Sequence, residues 1–570
     1  MNQRKTAGVS VWTSFDSLPV RKEHLVLAVI FLLSVYLRVM VDPDMPFHYD
    51  PGKNIVYARA ALQWFPLIPQ YNPYFNLGEY YEYQVLFPYT VAFFHKLSGI
   101  SLITITKWVA VISGAALSLT VYYLSLELSD SKTSALISAF LISVSKIQLI
   151  GYMNYYPQIM AMTLMPLAFV FLIRYIKYGK SRHLAITAII SSLIVLASYI
   201  AALVFFIILI VSVGIYSISD RKALRILILI PLVTGLLLSF FWLPMIWRHG
   251  IVQFTGTFID RILYAPAPFT NQPWTLTSFI TFSSGTVLSL VLGVMAILFI
   301  KRVKWDFPRI LIAAWLVITF ILSGSYYFRP ILWVDRFFQF FDIALLLAAG
   351  SFMTILIAKL NNTGKTGSRY KGYLLLVLLI FPLYGALNVD FTFGRWGYPS
   401  DFSMLEYMTY LPPGSLVAAP PSLHSFWVPA LSGVNVLGGE SSQMLGHRYF
   451  GDSDSNTIIN SPDVEQKMNI IRKYGVNYIY IPLHRPAYMV WNPDLDRKGI
   501  DAFDNSTYFE INKIFNDPDG ATLLIKVKEK LTPEYNPEMI DWNVTILGYL
   551  LSLATFLALV LMSRDNLGSS

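Results

Sequence analysis

The chain contains no cysteine among its 570 residues, and only 14% of its residues are charged. Without cysteine, disulfide bonds and thiolate metal sites are excluded, and the redox compartment cannot be inferred. A soluble protein of this length needs more charge than this to cover its surface, and here 55% of the residues are hydrophobic and the mean hydropathy is +0.54. The composition therefore predicts a membrane protein.

Long apolar runs support this prediction. Leu224–Trp242 and Ile343–Leu360 approach the roughly 20 apolar residues that cross a bilayer of about 30 Å. The N-terminal run His24–Met40 follows Arg21 and Lys22 but lacks a small-residue cleavage site, so we interpret it as an uncleaved first helix. In all, the runs predict about twelve transmembrane helices, near 24–41, 103–126, 132–150, 158–177, 183–198, 200–217, 222–245, 284–301, 308–323, 337–360, 371–389 and 543–562.

The net charge of +9 has its explanation in this topology. In a soluble protein it would suggest nucleic-acid binding, but most of the excess lies in short loops and no basic patch is interleaved with exposed aromatic residues, so nucleic acid is rejected. Twelve helices place the basic loops around residues 21–22, 177–182, 221–225, 301–304 and 359–371 on one side, which the positive-inside rule assigns to the cytoplasm.

The topology predicts three domains. Residues 1–389 form a transmembrane module with a long first external loop, 41–103, in which the short apolar run Val85–Leu97 is interpreted as interfacial or re-entrant. Residues 390–540 form an external soluble α/β domain, and 541–570 form the last transmembrane helix and a cytoplasmic tail. The fold class is thus a polytopic α-helical membrane protein with a C-terminal soluble α/β domain.

The soluble domain is predicted from a change in composition towards proline, glycine, asparagine and aspartate. Val464–Tyr474 is predicted to be an amphipathic helix that stops at Gly475. Short β-prone runs predict strands at Ser415–Ala419, Val434–Leu437, Val476–Ile481 and Thr522–Val527.

Acidic and imidazole groups directly after the first helix are the main candidates for chemistry. Asp50, with His48 beside it, lies at the predicted membrane boundary, where a carboxylate could accept a proton from a hydroxyl group. A structural explanation competes: Asp50-Pro51-Gly52 is also typical of a helix N-cap, opening a helix Lys53–Trp64. The two roles are compatible, because one carboxylate oxygen stays free.

Other polar residues of the predicted external loops are weaker candidates. Glu79 and Glu82 directly precede the interfacial segment, although a solvated face explains such pairs equally well. Arginine suits phosphate through its planar fork of donors, but an ion pair between neighbouring residues explains an Asp-Arg sequence too. The remaining candidates are Tyr155, Tyr156, Arg261, Arg329, Asp335 and Arg336.

The layout resembles that of the GT-C superfamily of integral membrane glycosyltransferases over nearly the whole chain. The similarity lies in an acidic residue just past the first helix, an interfacial segment, the cytoplasmic run Val121–Lys132, Phe241–Pro244 and the C-terminal run Lys473–Ile481. The Asp-Glu pair of protein O-mannosyltransferases and lipid A aminoarabinose transferases is replaced by Asp50-Pro51, and the Trp-Trp-Asp-Tyr-Gly signature of oligosaccharyltransferases is absent. The sugar and the acceptor are therefore left open.

The resemblance implies an inverting transfer of a sugar from a polyprenyl (dolichyl) phosphate donor to a hydroxyl of a lipid, glycan or protein acceptor, at the outer face of the plasma membrane. Asp50 would be the general base or the ligand of a divalent cation such as Mg²⁺ or Mn²⁺, assisted by His48, and Arg336, Arg329 and Arg261 would stabilise the leaving phosphate. The composition, free of cysteine and rich in isoleucine and tyrosine, is consistent with an archaeal source. The alternative is a non-enzymatic transporter, flippase or scaffold for lipid-linked sugars.

Overall fold

The structure is a computed structural model in which the chain is mostly helical. It describes residues 22–41, 49–67, 71–75, 79–80, 84–251, 306–324, 334–361, 373, 377, 380–388, 399–420, 426–437, 450–484, 495–505, 507–518, 520–533 and 541–565.

The helices form a bundle followed by a smaller mixed region. The bundle contains α1 (Lys22–Val41), α2 (Tyr49–Trp64), α3 (Leu86–Ser98), α4 (Leu102–Ser129), α5 (Lys132–Ser143), α6 (Lys146–Asn154), α7 (Tyr156–Tyr178), α8 (Ser181–Ala197), α9 (Tyr199–Tyr216), α10 (Leu224–Leu237), α11 (Ser239–His249), α12 (Phe307–Ser323) and α13 (Val334–Asn361), and residues 380–387 are also helical. The C-terminal region adds α14 (Pro399–Met408), α15 (Phe450–Asn460), α16 (Val464–Tyr474), α17 (Arg497–Asp501) and α18 (Trp542–Asp565).

Six of the described helices are long and apolar enough to cross a membrane, namely α1, α4, α7, α9, α13 and α18. The pair α10–α11 passes the same test as one span bent by 76°, and α5, α8 and α12 are shorter apolar helices. The chain is therefore a polytopic membrane protein. The number twelve stays a prediction, because the run 284–301 lies outside the described residues and 371–389 is described only in part.

Two predicted helices are each broken in two. The run 132–150 divides into α5 and α6 because Ser145 starts a new helix, its hydroxyl accepting from the amide of Gln148. The run 222–245 bends after Leu238, where the hydroxyl of Ser552 in α18 donates to the carbonyl of Leu237 at 2.9 Å and accepts from the amide of Phe240 at 3.3 Å. A hydroxyl that satisfies backbone groups from outside the helix is a common cause of such breaks.

A five-stranded sheet lies in the C-terminal region. Its strands are β3 (Leu416–Ala418), β4 (Asn435–Leu437), β5 (Tyr478–His484), β6 (Phe509–Asp517) and β7 (Gly520–Val527), in the spatial order β4-β3-β5-β7-β6. The pairs β3–β4 and β3–β5 are parallel, whereas β5–β7 and β6–β7 are antiparallel. Four of these strands match the predicted runs to within a few residues, and β6 was not predicted.

The helix α16 has the predicted bounds. It begins at Val464 because the carboxylate of Asp463 accepts from the amides of Glu465 and Gln466, and it ends at Tyr474 because Gly475 adopts a left-handed φ of 71°. Glycine takes this conformation without steric cost.

The two largest hydrophobic cores of the described residues connect the elements of the molecule. One lies inside the bundle, among α4, α7, α9, α12 and α13. The other joins α2, α3 and the start of α7 to residues of the C-terminal region, among them Phe426, Trp427 and Val436. The helix α2 is therefore packed between the bundle and the C-terminal region.

Candidate functional site

The predicted site residues divide into those whose side chains the structure describes and those that it does not. His48, Glu82, Arg261 and Arg329 lie outside the described residues, and for Asp50, Glu79 and Asp335 only the backbone is described. The side chains of Tyr155, Tyr156 and Arg336 are described.

Asp50 lies within a helix rather than in front of one. The helix α2 begins at Tyr49, so Asp50 belongs to its first turn, and the prediction that it is the residue preceding a helix Lys53–Trp64 was wrong at that end. The predicted end at Trp64 is confirmed. A carboxylate in a first helical turn is favoured by the helix dipole, which leaves its chemistry open.

Glu79 lies in a short strand of the same segment. The strands β1 (Tyr71–Asn72) and β2 (Glu79–Tyr80) pair in antiparallel fashion, with Glu79 opposite Asn72. The apolar run after them is the helix α3, of thirteen residues. Its helical character fits the interfacial interpretation, and its depth in a membrane stays a prediction.

Tyr155 and Tyr156 connect α6 to α7. Tyr155 leaves the helical conformation, with φ −140° and ψ 62°, and α7 starts at the next residue. The ring of Tyr156 is fully buried, with its centroid 5.7 Å from that of Phe87 in α3. This contact links the interfacial segment to the start of α7.

The structure brings Arg336 and Tyr155 together, although 181 residues separate them in sequence. Arg336 lies in the first turn of α13, and its guanidinium carbon is 4.0 Å from the centroid of the Tyr155 ring. A guanidinium group over an aromatic ring gains a cation–π attraction and is held in one orientation. The half-buried Arg336 is thus a positioned cation at a helix N-terminus, where anions bind favourably.

Below Arg336, a chain of amide hydrogen bonds crosses from α7 to α13. The Nε2 of Gln158 donates to Oε1 of Gln339 at 3.0 Å and to the carbonyl of Arg336 at 3.5 Å. The Nε2 of Gln148, in α6, donates to the carbonyl of Gln339 at 2.9 Å. A Cβ on Gly151 would lie 2.5 Å from the Gln339 amide, so a side chain at this position would displace that amide.

The chain of hydrogen bonds ends at Asp342, a candidate that the sequence analysis missed. Asp342 is fully buried, and its Oδ2 accepts from Oγ of Ser145 at 2.7 Å and from Nε2 of Gln148 at 3.2 Å. Its Oδ1 has no hydrogen-bond partner among the described residues. Carboxylates inside membrane segments are rare and usually functional.

We call Arg336, Gln339, Asp342 and their partners Ser145, Gln148, Tyr155 and Gln158 the polar column. The three α13 residues recur every three positions, which places them on one face of the helix. This three-residue spacing is the sequence signal that could have identified Asp342. It was overlooked because Asp342 is a single acidic residue in a run that otherwise reads as a transmembrane helix.

The described residues contain no group of three or more histidine, aspartate or glutamate side chains that could hold a metal ion. The side chains of Asp50 and Asp335 lie outside that search. What the described residues supply is a held cation, two tyrosines and a hydrogen-bonded amide chain, an arrangement suited to binding an anion.

No family model and no curated protein matches the sequence, but solved structures do. The archaeal oligosaccharyltransferase AglB from Archaeoglobus fulgidus, in complex with an inhibitory peptide and a dolichol-phosphate, aligns with a TM-score of 0.59 at 15% identity, over 80% of this chain and 69% of that one. The same enzyme has been solved with zinc and sulfate (TM-score 0.54, 14% identity, 80% and 67% coverage).

Two further enzymes have the same architecture. ArnT from Cupriavidus metallidurans, bound to undecaprenyl phosphate, aligns with a TM-score of 0.59 at 11% identity, over 90% of this chain and 99% of that one. The arabinofuranosyltransferase AftD from Mycobacteria aligns with a TM-score of 0.56 at 14% identity, over 90% of this chain and 40% of that one. All three are GT-C glycosyltransferases, so the predicted GT-C fold is confirmed.

Proposed function

We propose that this chain, which has the GT-C fold, is a membrane glycosyltransferase that moves a sugar from a polyprenyl-phosphate donor to an acceptor hydroxyl. The observation that carries this proposal is the alignment of 90% of the chain with 99% of ArnT, solved with undecaprenyl phosphate. AglB, solved with a dolichol-phosphate, supports the same donor class. We propose a lipid, glycan or protein as the acceptor, and AglB, solved with an inhibitory peptide, is an example of the last class.

Arg336 binds the phosphate of the donor in this proposal. Its guanidinium is stacked on Tyr155 at 4.0 Å and lies in the first turn of α13, so charge, orientation and helix dipole all favour an anion there. The leaving polyprenyl phosphate gains negative charge as the bond to the sugar breaks. A positioned cation stabilises that charge more in the transition state than in the ground state.

Asp50 acts as the general base, with His48 assisting. The acceptor oxygen attacks the anomeric carbon, the bond from that carbon to the phosphate oxygen breaks, and the hydroxyl proton passes to the Asp50 carboxylate. Attack opposite to the leaving group inverts the anomeric configuration through an oxocarbenium-like transition state. Polyprenyl phosphate leaves towards Arg336.

The other candidates are assigned to substrate binding. Tyr156, the neighbour of Tyr155 in sequence, contacts Phe87 in the interfacial helix α3. The remaining substrate-binding candidates are Glu79, Glu82, Tyr155, Arg261, Arg329 and Asp335.

A divalent cation remains part of the proposal without a step of its own. AglB has been solved with zinc, and Asp50 is the residue of this chain that we propose as a ligand. Transfer measured before and after EDTA treatment, and again after adding Mg²⁺ or Mn²⁺, decides whether the reaction needs such an ion.

We place the site and the C-terminal soluble domain on the extracytoplasmic face of the plasma membrane. The support is the distribution of basic loops, which assigns the opposite ends of the helices to the cytoplasm. The boundaries 1–389, 390–540 and 541–570 belong to the same proposal. Labelling of single cysteines introduced into this cysteine-free chain, from either side of sealed vesicles, tests the orientation.

One observation favours a second candidate, a transporter or flippase for lipid-linked sugars. Asp342 is a fully buried ionisable residue inside a span, which is where transporters place coupling groups. Ion-coupled uptake of the labelled lipid into vesicles containing the protein would favour this candidate.

The decisive experiment is transfer by purified protein from a panel of polyprenyl-phosphate sugars, comparing the wild type with Asp50→Asn. We expect a loss of at least about 100-fold in kcat, because general-base catalysis contributes roughly 10²–10⁴-fold. Asp130→Asn, an exposed carboxylate at the far end of α4, is the matched control and should leave transfer unchanged. Wild-type rates in a folded Asp50→Asn protein would contradict the assignment.

A further inference from the structure

We propose that residues 426–437 of the C-terminal region, a segment we call the clamp, position the helix α2 and thereby the Asp50 that it carries. This inference rests on the proposed function, in which Asp50 is the base. Trp427 and Arg59 are the positioning residues. The clamp consists of a π-helical turn, Val428–Ser432, and the strand β4.

The first contact lies two residues from Asp50. A Cβ on Gly52 would lie 2.9 Å from Cε2 of Trp427 and 3.1 Å from its Cδ2 and Nε1, so the indole is packed directly on the α2 backbone. Trp427 is itself buried, with 6% of its surface exposed, and has little room to move. Glycine is a less favourable helix residue than alanine. The gain that offsets this cost here is the close approach of Trp427.

The second contact fixes the middle of α2 by hydrogen bonds. Nε of Arg59 donates to the carbonyl of Ala430 at 3.0 Å, and its Nη2 donates to the carbonyl of Leu431 at 3.3 Å. These carbonyls lie near the end of the π-helical turn, where backbone acceptors lack partners within the turn. Gly433, with φ 73°, then ends the turn and keeps the space beside the guanidinium open.

The third contact lies after α2, where the segment joins β4. The amide of Val436 donates to the carbonyl of Tyr74 at 3.0 Å, and Phe75 pairs with Val436 as a parallel bridge. The ring of Phe75 meets that of Phe426 edge to face at 5.5 Å and that of Tyr57 at 6.2 Å. Both ends of the segment that carries α2 are thus held by the clamp.

These contacts have a consequence for catalysis. A general base must lie within hydrogen-bond reach of the proton that it removes, and a misplacement of about 1 Å can cost roughly 10²-fold in rate. The clamp sets the position of the first turn of α2 through rigid groups, an indole and a guanidinium, rather than through flexible ones. The C-terminal region, through the clamp, therefore acts on the reaction without contacting the substrate.

The test is a double-mutant cycle between Gly52→Ala and Trp427→Leu in the full-length protein. Gly52→Ala forces α2 away from the indole, and we expect kcat to fall at least tenfold with the donor KM unchanged within twofold. In the Trp427→Leu background the added methyl group has room, so the same substitution should change kcat less than twofold. Equal effects of Gly52→Ala in both backgrounds, or none in the wild type, would overturn the inference.

Two further measurements separate positioning from stability and from the proposed function. Gly499→Ala is the matched control: its Cβ would lie 2.3 Å from the Asn460 carbonyl, away from α2, so it should lower the unfolding temperature and leave kcat unchanged. Loss of kcat in this control equal to that of Gly52→Ala would refute a specific role. Amide hydrogen exchange over residues 49–64 should accelerate in Gly52→Ala only while Trp427 is present, which reads the contact even if the wild type transfers no sugar.

Discussion

Replacing Asp342 by alanine and by asparagine should have different effects on stability. Its Oδ2 is the acceptor for the Ser145 hydroxyl at 2.7 Å and for the Gln148 amide at 3.2 Å, in a fully buried position between α6 and α13. Alanine removes the acceptor and leaves both donors buried. Asparagine has the same shape and offers one carbonyl oxygen that can accept both hydrogen bonds.

The magnitude follows from the number of donors. Leaving a buried donor without an acceptor costs about 1–3 kcal/mol, so Asp342→Ala should lower the free energy of unfolding by about 2–6 kcal/mol. Asp342→Asn keeps both hydrogen bonds and removes a charge whose burial is unfavourable, but its Nδ2 takes the place of Oδ1, which has no partner among the described residues. Because that buried donor costs about 1–3 kcal/mol, the free energy of unfolding of Asp342→Asn should lie between those of the wild type and Asp342→Ala.

Denaturant unfolding in detergent micelles, followed by tryptophan fluorescence, measures both variants against the wild type. Transfer activity should follow stability, with Asp342→Asn active and Asp342→Ala inactive above its lowered unfolding temperature. If Asp342→Asn is as destabilised as Asp342→Ala, the negative charge itself is required and our account of the polar column is refuted. If Asp342→Asn is stable but abolishes ion-coupled uptake, the transporter candidate gains instead.

Two further predictions concern the cation of the site and the C-terminal region. Arg336→Met should lower transfer at least tenfold and Arg336→Lys by less, because lysine keeps the charge but cannot stack as a plane on Tyr155. Donor-dependent steady-state kinetics measure this, and Arg309→Met, which removes an arginine from the first turn of α12, is the control that should leave transfer unchanged. Burial lowers the pKa of Lys467 to about 7, so the folded protein binds fewer protons there than the unfolded chain between about pH 7 and its ordinary value of 10.5. The free energy of unfolding should therefore rise with pH in that interval, by at most about 1.4 kcal/mol per pH unit, and this contribution to the pH dependence should vanish in Lys467→Met. Thermal unfolding measured against pH tests this, and an equal pH dependence in both proteins would contradict it.

Secondary-structure elements with a clear local sequence signal were predicted, and those without one were missed. Both ends of the helix α16 were predicted correctly because its stop signal, Gly475, follows it directly in the sequence. The strand β6 was not predicted, because five of its nine residues are charged or amide-bearing and only Phe509 is buried, so it lacks the alternation of a half-buried strand. It is held by its partner β7 rather than by its own pattern.

The candidate site was harder to predict, since its contacts are distant in sequence. Arg336 and Tyr155 were both named as candidates, but their contact joins residues 181 positions apart. Ser145 breaks a predicted helix where its side chain also meets Asp342, 197 residues away. Periodicity reveals which face of a helix is polar, whereas the partner of that face is set by tertiary packing.

The extent of the polar column argues for support of a site at one end of the bundle rather than for a path across it. The column starts at Arg336 and ends at Asp342, and the five residues that follow, Ile343–Leu347, are apolar and buried in the bundle core. The next ionisable residue of α13 is Lys359, about 25 Å further along at 1.5 Å per residue. Between these two residues α13 itself carries only the hydroxyls of Ser351 and Thr354, so it offers a coupling ion no further charged group over that length. The hydrogen bonds of Asp342 instead join α6 to α13 within two turns of the Arg336–Tyr155 pair, where rigidity would hold the cation that we propose to bind the donor phosphate.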